Sequence, residues 1–167
     1  LHEFGLNGFE AASTRSIAAR AGVAQSALPY HFTTKDELWR AAAEKIFGEF
    51  HTRFGTIVEM TANQDARTRA ESLVTEAVVF FAQHPELHRF MTDQACGPRC
   101  DWLVATHLRP LHEVFDALIA DLDERFEEGE APDRTHLFYM FIGAAAAPYE
   151  MSYEYLDVNG ANPYDAE

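Results

Sequence analysis

Apolar residues recur along the chain at three- and four-residue intervals, and no stretch keeps the strict alternation of a half-buried strand. The pattern predicts an all-α protein. Its longest stripe runs from Lys35 to about Met60, with Leu38, Ala42, Ile46, Phe50, Phe54 and Ile57 on one helical face. Shorter helices are expected over 1–6, ending near Gly8, over 15–21, with Ile17, Ala18 and Ala21 inward, and over 25–32. Longer ones are expected over 66–84, 86–95, 101–126 and 133–156. The breaks carry turn chemistry at Asn63, His84-Pro85, Gly97-Pro98, Gly129 to Pro132 and Asn159-Gly160. Pro110 and Pro148 fall inside the last two long segments and should kink or split them, because proline lacks the amide hydrogen that a helix interior needs. Leu1 begins inside a helical pattern and 163–167 reads as a further helix start, so both ends are expected to continue.

One segment is specific. From Ser13 to Leu38 the sequence reads STRSIAARAGVAQSALPYHFTTKDEL. Ser13 or Thr14 can cap a helix, Gly22 can end it in a left-handed conformation, and Val23 is expected to dock back into the core. Leu28 is the inward residue of the next helix and Phe32 closes it. A small residue, a glycine, an apolar turn residue and a second inward apolar residue together form the grammar of a helix-turn-helix. Gln25, Ser26, Ala27, Tyr30 and His31 are then left outward. Gln bonds adenine in bidentate fashion, Ala contacts a thymine methyl, and Tyr and His suit phosphate oxygens. Thr34-Lys35-Asp36-Glu37 is a capping box that puts Lys35 at a helix N-terminus, where a phosphate is well held.

These residues resemble the N-terminal domain of TetR-type (tetracycline repressor) transcriptional regulators. The resemblance is carried by Phe4 and Gly8, Ser13-Thr14, Ile17-Ala18, Ala21-Gly22-Val23, Leu28-Pro29-Tyr30-His31-Phe32, and Lys35 with Leu38. It implies a helix-turn-helix head over 1–45, joined by a long helix to a helical ligand-binding and dimerisation domain over 46–167. It implies a homodimer on a pseudo-palindromic double-stranded DNA operator, repression more than activation, and release by a small-molecule effector that alters the spacing of the two heads. Gln25, Ser26, Ala27 and Tyr30 would then face bases or their flanks, and Thr14, Arg15, His31 and Lys35 would hold phosphates. Two positions depart from the family pattern. Ala24 stands where a capping Ser or Thr is usual, and Pro29 replaces an aromatic and cannot return an amide hydrogen to Gln25.

The second part is rich in aromatics with a few polar groups between them, the composition of an apolar pocket with fixing groups. Phe50, Phe54, Phe80, His84, Phe90, Gln94, Trp102, His107, Phe115 and Phe141 are the expected pocket residues, and composition favours an apolar or aromatic effector. Leu137 to Ala147 ends in Gly143-Ala144-Ala145-Ala146-Ala147, small residues that let helices approach closely. Phe138, Ile142, Ala145, Tyr149 and Tyr153 are the expected dimer face.

Charge refines this picture. The net charge is −14, yet residues 1–60 hold six basic and seven acidic residues, so nearly all the excess lies in the second part. No acidic residue falls between Ala11 and Lys35, and anionic backbones need only a local cationic surface. His84 with His88 and the Cys96-Gly-Pro-Arg-Cys100 loop hint at zinc or a thiol switch, but structural zinc sites want better-supported spacings, so no metal and no cofactor are expected. The two cysteines suit a reducing cytoplasm, and the longest apolar run, Leu137 to Pro148, is short of a membrane span. Acidic runs at 121–124 and 127–130 read as solvated surface. No phosphate loop, nucleophile elbow or acid/base pair supports an enzyme. The alternative is a helical small-molecule-binding or interaction protein with a degenerate DNA-binding head.

Overall fold

The computed structural model describes residues 1–92, 98–123 and 133–165, and every regular element among them is helical. The chain runs through α1 (His2–Ala11), α2 (Thr14–Arg20), a 3-10 turn (Gln25–Ala27) leading into α3 (Leu28–His31), and α4 (Lys35–Met60). The body adds α5 (Ala66–Gln83), α6 (Glu86–Thr92), α7 (Pro98–Leu103), a π-helical segment (Val104–Leu108), α8 (Arg109–Asp123), α9 (Arg134–Glu150) and α10 (Ser152–Asn159). A 3-10 turn at Pro163–Asp165 follows. The expected acidic runs and the turn at Gly129 to Pro132 lie outside the described residues or side chains.

Around α4, the head packs on its first turns and the body on the rest. It runs unbroken through position 45, so head and body share it. Its buried face is Trp39, Ala43, Ile46, Phe47, Phe50 and Phe54, with Leu38, Ala42 and Ile57 flanking it half-buried. Trp39, Ala43 and Phe47 were not in the expected stripe; they are buried because α7 and the π segment cover a second flank of α4, where Trp39 meets Trp102 and Phe47 meets His107. The core is aromatic: Trp39 stacks on Phe90 at 4.7 Å, Phe50 on Phe54 at 4.0 Å, and Phe50 meets Phe80 edge-on at 5.0 Å. Such pairs add about 0.5–1.5 kcal/mol beyond the area they bury. α5 packs against α4, α8 and α9, so it is the central helix of the body.

Both interior prolines alter their helices as expected, each differently. Before Pro110 the helix widens: the Arg109 amide reaches back five residues to the Val104 carbonyl. Pro110 has no hydrogen to offer Thr106 and its ring needs room in that turn, which a π-bulge supplies. At Pro148 the helix continues to Glu150, then breaks at Met151 (φ −98°, ψ 29°) before α10 begins. α10 ends at Gly160, whose φ of 68° is a left-handed cap. Gly8 also has φ 68°, with ψ 177°, and interrupts α1 there as the sequence predicts, so α1 is two helical stretches meeting at a kink, the second reaching Ala11.

Candidate nucleic-acid interface

The head is built by caps. Ser13 Oγ accepts the Ser16 amide at 3.3 Å and so starts α2. α2 ends in a Schellman motif: Gly22 N–H bonds the Ala19 carbonyl and Val23 N–H the Ala18 carbonyl. Gly22 adopts φ 68°, the conformation that motif requires. Ala18 is 1% exposed where the helices meet, in keeping with the need for a small residue there. Val23 and Ala21, expected inward, are exposed, Val23 by 45%. The left-handed turn at Gly22 carries the chain away from the core at this corner.

The second helix begins as sequence chemistry dictates. Ala24 offers no side-chain cap. Pro29 has no amide hydrogen for the Gln25 carbonyl, which instead accepts from Leu28, one residue sooner. The first turn is therefore a tight 3-10 turn over Gln25–Ala27, and α helix exists only from Leu28. Thr34 Oγ1 accepts the Glu37 amide at 3.1 Å, and Glu37 Oε2 accepts the Thr33 amide at 2.7 Å. This near-reciprocal box fixes the start of α4 directly behind the recognition segment.

The eight expected contact residues come together on the head. Gln25, Ser26, Tyr30, His31 and Arg15 are exposed; Thr14, Ala27 and Lys35 are half-buried. Tyr30 is 87% exposed, and its ring stands perpendicular to His31 at 5.1 Å. Thr14, Gln25 and Lys35 share a small surface cleft with Thr33 and Thr34. Lys35 is less free than expected: its Nζ donates to the Glu10 carbonyl at 3.0 Å and lies 5.0 Å from the Phe9 ring. That contact caps the last turn of α1 with a cation.

A link between head and body was not anticipated. The Arg99 guanidinium of α7 lies 3.4 Å from the Phe9 ring centroid, 3.5 Å from Glu10 and 3.9 Å from Asp36. Asp36 also holds Arg40 at 2.7 Å, and Arg40 covers Trp102 at 4.7 Å. On another side α1 packs on α6 so closely that a Cβ at Gly5 would collide with the Cβ and backbone of Glu86. No spacing rule joins Arg99 to Glu10. The only local signal is that Arg99 is a basic residue between Pro98 and Cys100.

Between α4, α5, α8 and α9 the body holds a cavity of about 410 Å³ that opens to solvent, and every side chain lining it is apolar. Of the expected pocket residues, Phe50, Phe54, Phe115 and Phe141 line it. Phe80 and Phe90 are core residues instead, His84 sits 3.6 Å from Glu49, and Gln94 lies outside the described residues. Trp102 and His107 pack on each other 5.2 Å apart, off the cavity. Of the expected dimer face, Phe138, Ile142, Ala145 and Tyr149 are 2–8% exposed and packed within the subunit. Tyr153 remains outward at 87%, and α9 exposes Tyr139 and Met140 on its other face.

Among the described residues no group of three or more His, Cys, Asp or Glu side chains is placed to hold a metal. His84 and His88 part company, His88 turning to Glu150 at 2.8 Å. Cys100 is disulfide-bonded, which corrects the expectation of free thiols; Cys96 lies outside the described residues. No described helix is long and apolar enough to cross a membrane.

A capped helix-turn-helix head with an exposed second helix, carried on an all-α body, defines a helix-turn-helix protein. Residues 1–48 match the family described as bacterial regulatory proteins, tetR family. The nucleoid occlusion factor SlmA of Marinomonas sp. (strain MWYL1) is 28% identical over 118 residues, 71% of this chain and 57% of that protein. The chain thus spans little more than half the length of the curated relative it matches. The likeness to the tetR family thus rests on the head, residues 1–48.

Proposed function

We propose that this protein binds a pseudo-palindromic DNA operator as a homodimer and that a small apolar or aromatic effector releases it, so that it acts as a repressor. The observation that carries DNA binding is the exposure of Gln25, Ser26, Tyr30 and His31 on a short, protruding helix behind which Lys35 and Thr34 open α4. Two such heads related by a two-fold axis read two half-sites on one DNA face. Gln25, Ser26, Ala27 and Tyr30 supply base and flank contacts; Thr14, Arg15, His31 and Lys35 supply phosphate contacts. The outward residues of α9 and α10, Tyr139, Met140 and Tyr153 among them, supply the dimer surface. DNA binding places the protein in the cytoplasm.

The effector reading draws on the cavity beside α4, the helix that both halves share. An occupant shifts the heads only by binding one arrangement better than the other. The link from α7 through Arg99 to Phe9, Glu10 and Asp36 is the route by which a displaced α7 would tilt the head.

Selection of bound duplexes from a random pool tests the reading. A half-site repeat with two-fold symmetry is expected, and Gln25→Ala should change the preferred bases. An unaltered preference removes Gln25 from the base-reading set. A second reading, a DNA-bound factor acting on the nucleoid and not on transcription, draws on the name of the relative. Occupancy in cells without change in neighbouring transcripts would favour it.

A further inference from the structure

Two imidazoles lie side by side without a use, His51 half-buried and His107 buried. His51 on α4 and His107 in the π segment have ring centroids 6.0 Å apart, and His107 is only 7% exposed. The Nε2 atoms of both are buried and have no hydrogen-bond partner among the described residues. In a neutral imidazole Nε2 is a donor in one tautomer and an acceptor in the other, so the two unpartnered nitrogens can present one of each. Phe47 stacks on His107 at 4.9 Å, Trp102 meets it edge-on, and Phe50 meets His51 edge-on at 6.4 Å. A buried polar atom left unpaired is costly, so two together in an aromatic box call for a function.

Their position relative to the cavity supplies one. Phe54 lies three residues beyond His51 on α4, and Leu111 lies four beyond His107 on the adjoining run; both line the apolar cavity. Residues three and four apart lie over one another on a helix face, separated by about one turn. Each imidazole thus lies about one helical turn from a residue of the cavity wall, and Phe50 is both a cavity wall and a neighbour of His51. The π-bulge that places His107 inward is the kind of irregularity that gathers at working sites.

We propose that the cavity and the His51–His107 pair are two compartments of one ligand site, which takes a hydrocarbon or aromatic body carrying a single uncharged hydroxyl, an alcohol or a phenol. The inference rests on the effector reading above and names the ligand class. A hydroxyl is both donor and acceptor, so it can donate to one Nε2 of the pair and accept from the Nε2–H of the other. Burial lowers the pKa of both imidazoles; at His107 the neighbouring His51 lowers it further and Glu44 opposes this, while at His51 the main chain of His107 opposes the shift. The pair is therefore neutral at neutral pH and offers a carboxylate no countercharge. Ligands that are purely hydrocarbon fill the cavity but leave both nitrogens unpaired.

The test is direct binding to the DNA-free protein, followed by tryptophan emission, since Trp102 adjoins His107. The probes are 4-pentylphenol, pentylbenzene and 4-pentylbenzoate. The phenol should bind about tenfold more tightly than pentylbenzene, the gain of one or two net hydrogen bonds, and the benzoate should bind more weakly than the phenol. His51→Phe and His107→Phe keep a ring in place and should each erase the preference while pentylbenzene binding persists. Should one variant fail to fold, judged by its helical circular dichroism, the other carries the comparison. Equal wild-type affinity for phenol and pentylbenzene overturns the inference and leaves the effector reading standing. A phenol preference that survives in a folded variant overturns it as well. Failure of every probe to bind overturns this inference and the effector reading together, while DNA binding is scored separately by mobility shift.

Discussion

The two ends of α4 hold together by different physics. At its N-terminal end, the head is short of buried area: α2 contributes one fully buried side chain, and the recognition segment contributes none. Its geometry is set by directional bonds, the Ser13 and Thr34 caps, the Schellman turn at Gly22 and the Lys35 to Glu10 contact. At the other end, the body buries Phe47, Phe50, Phe80, Phe81 and Phe138 and is set by shape. Directional bonds demand given residues at given intervals; apolar packing accepts many residues of suitable volume. The contrast also divides labour, because a head with little core of its own can be tilted by what the body does.

The largest expected break in this contrast is inside the body. Phe47→Ala removes a ring with no exposed surface and should cost about 3–5 kcal/mol, read as a lowered midpoint in chemical denaturation. A cost near that of an exposed site would mean the aromatic core is not what holds the body. Next comes the seam between the halves. Gly5→Ala forces a methyl group into Glu86 and should cost about 1–3 kcal/mol, and it should weaken DNA binding more than Phe47→Leu does at equal stability. If DNA affinity follows stability alone, the seam does not transmit.

A cap should matter less. Thr34→Ala removes the bond to the Glu37 amide and is expected to cost about 1 kcal/mol, with Thr34→Ser restoring most of it. For phosphate contact, Arg15→Ala should lower affinity for all duplexes alike and reduce the slope of log affinity against log salt by about one. An unchanged slope removes Arg15 from the phosphate set.

The smallest effect is on pH. Burial lowers the pKa of His51 and His107 in the folded protein below the ordinary imidazole value near 6.5. The unfolded chain then binds more protons than the folded one as pH falls below about 6.5, so stability declines on acidification through that range and is fully present above it. Replacing both histidines by Phe should flatten this decline. A slope that is unaltered would place its origin elsewhere.

Why the head was legible and the body was not follows from the same division. Ser13, Gly22, Pro29 and Thr34 each act within four residues of themselves, so local spacing exposes their work, including the amide hydrogen Pro29 lacks, though not the 3-10 turn over Gln25–Ala27 that follows from it. Val23 was misjudged because its direction depends on where the turn at Gly22 sends the chain. In α9 nearly every position is apolar, so periodicity could not tell the core face from the outward one; Phe138 and Ile142 went inward while Tyr139 and Met140 stayed out. Arg99 bonds to residues about ninety and sixty positions away, a relation only the fold creates.

The central claim is that the short helix after Gln25 enters a DNA groove. Hydroxyl-radical footprinting of the protein on a selected duplex tests it most directly. Two protected patches on one face of the helix, about one turn or a small multiple apart, are predicted, with loss of both patches in a Tyr30→Ala, His31→Ala double variant that remains folded. Protection that is undiminished in that variant, or none at low salt in the wild type, would contradict the account.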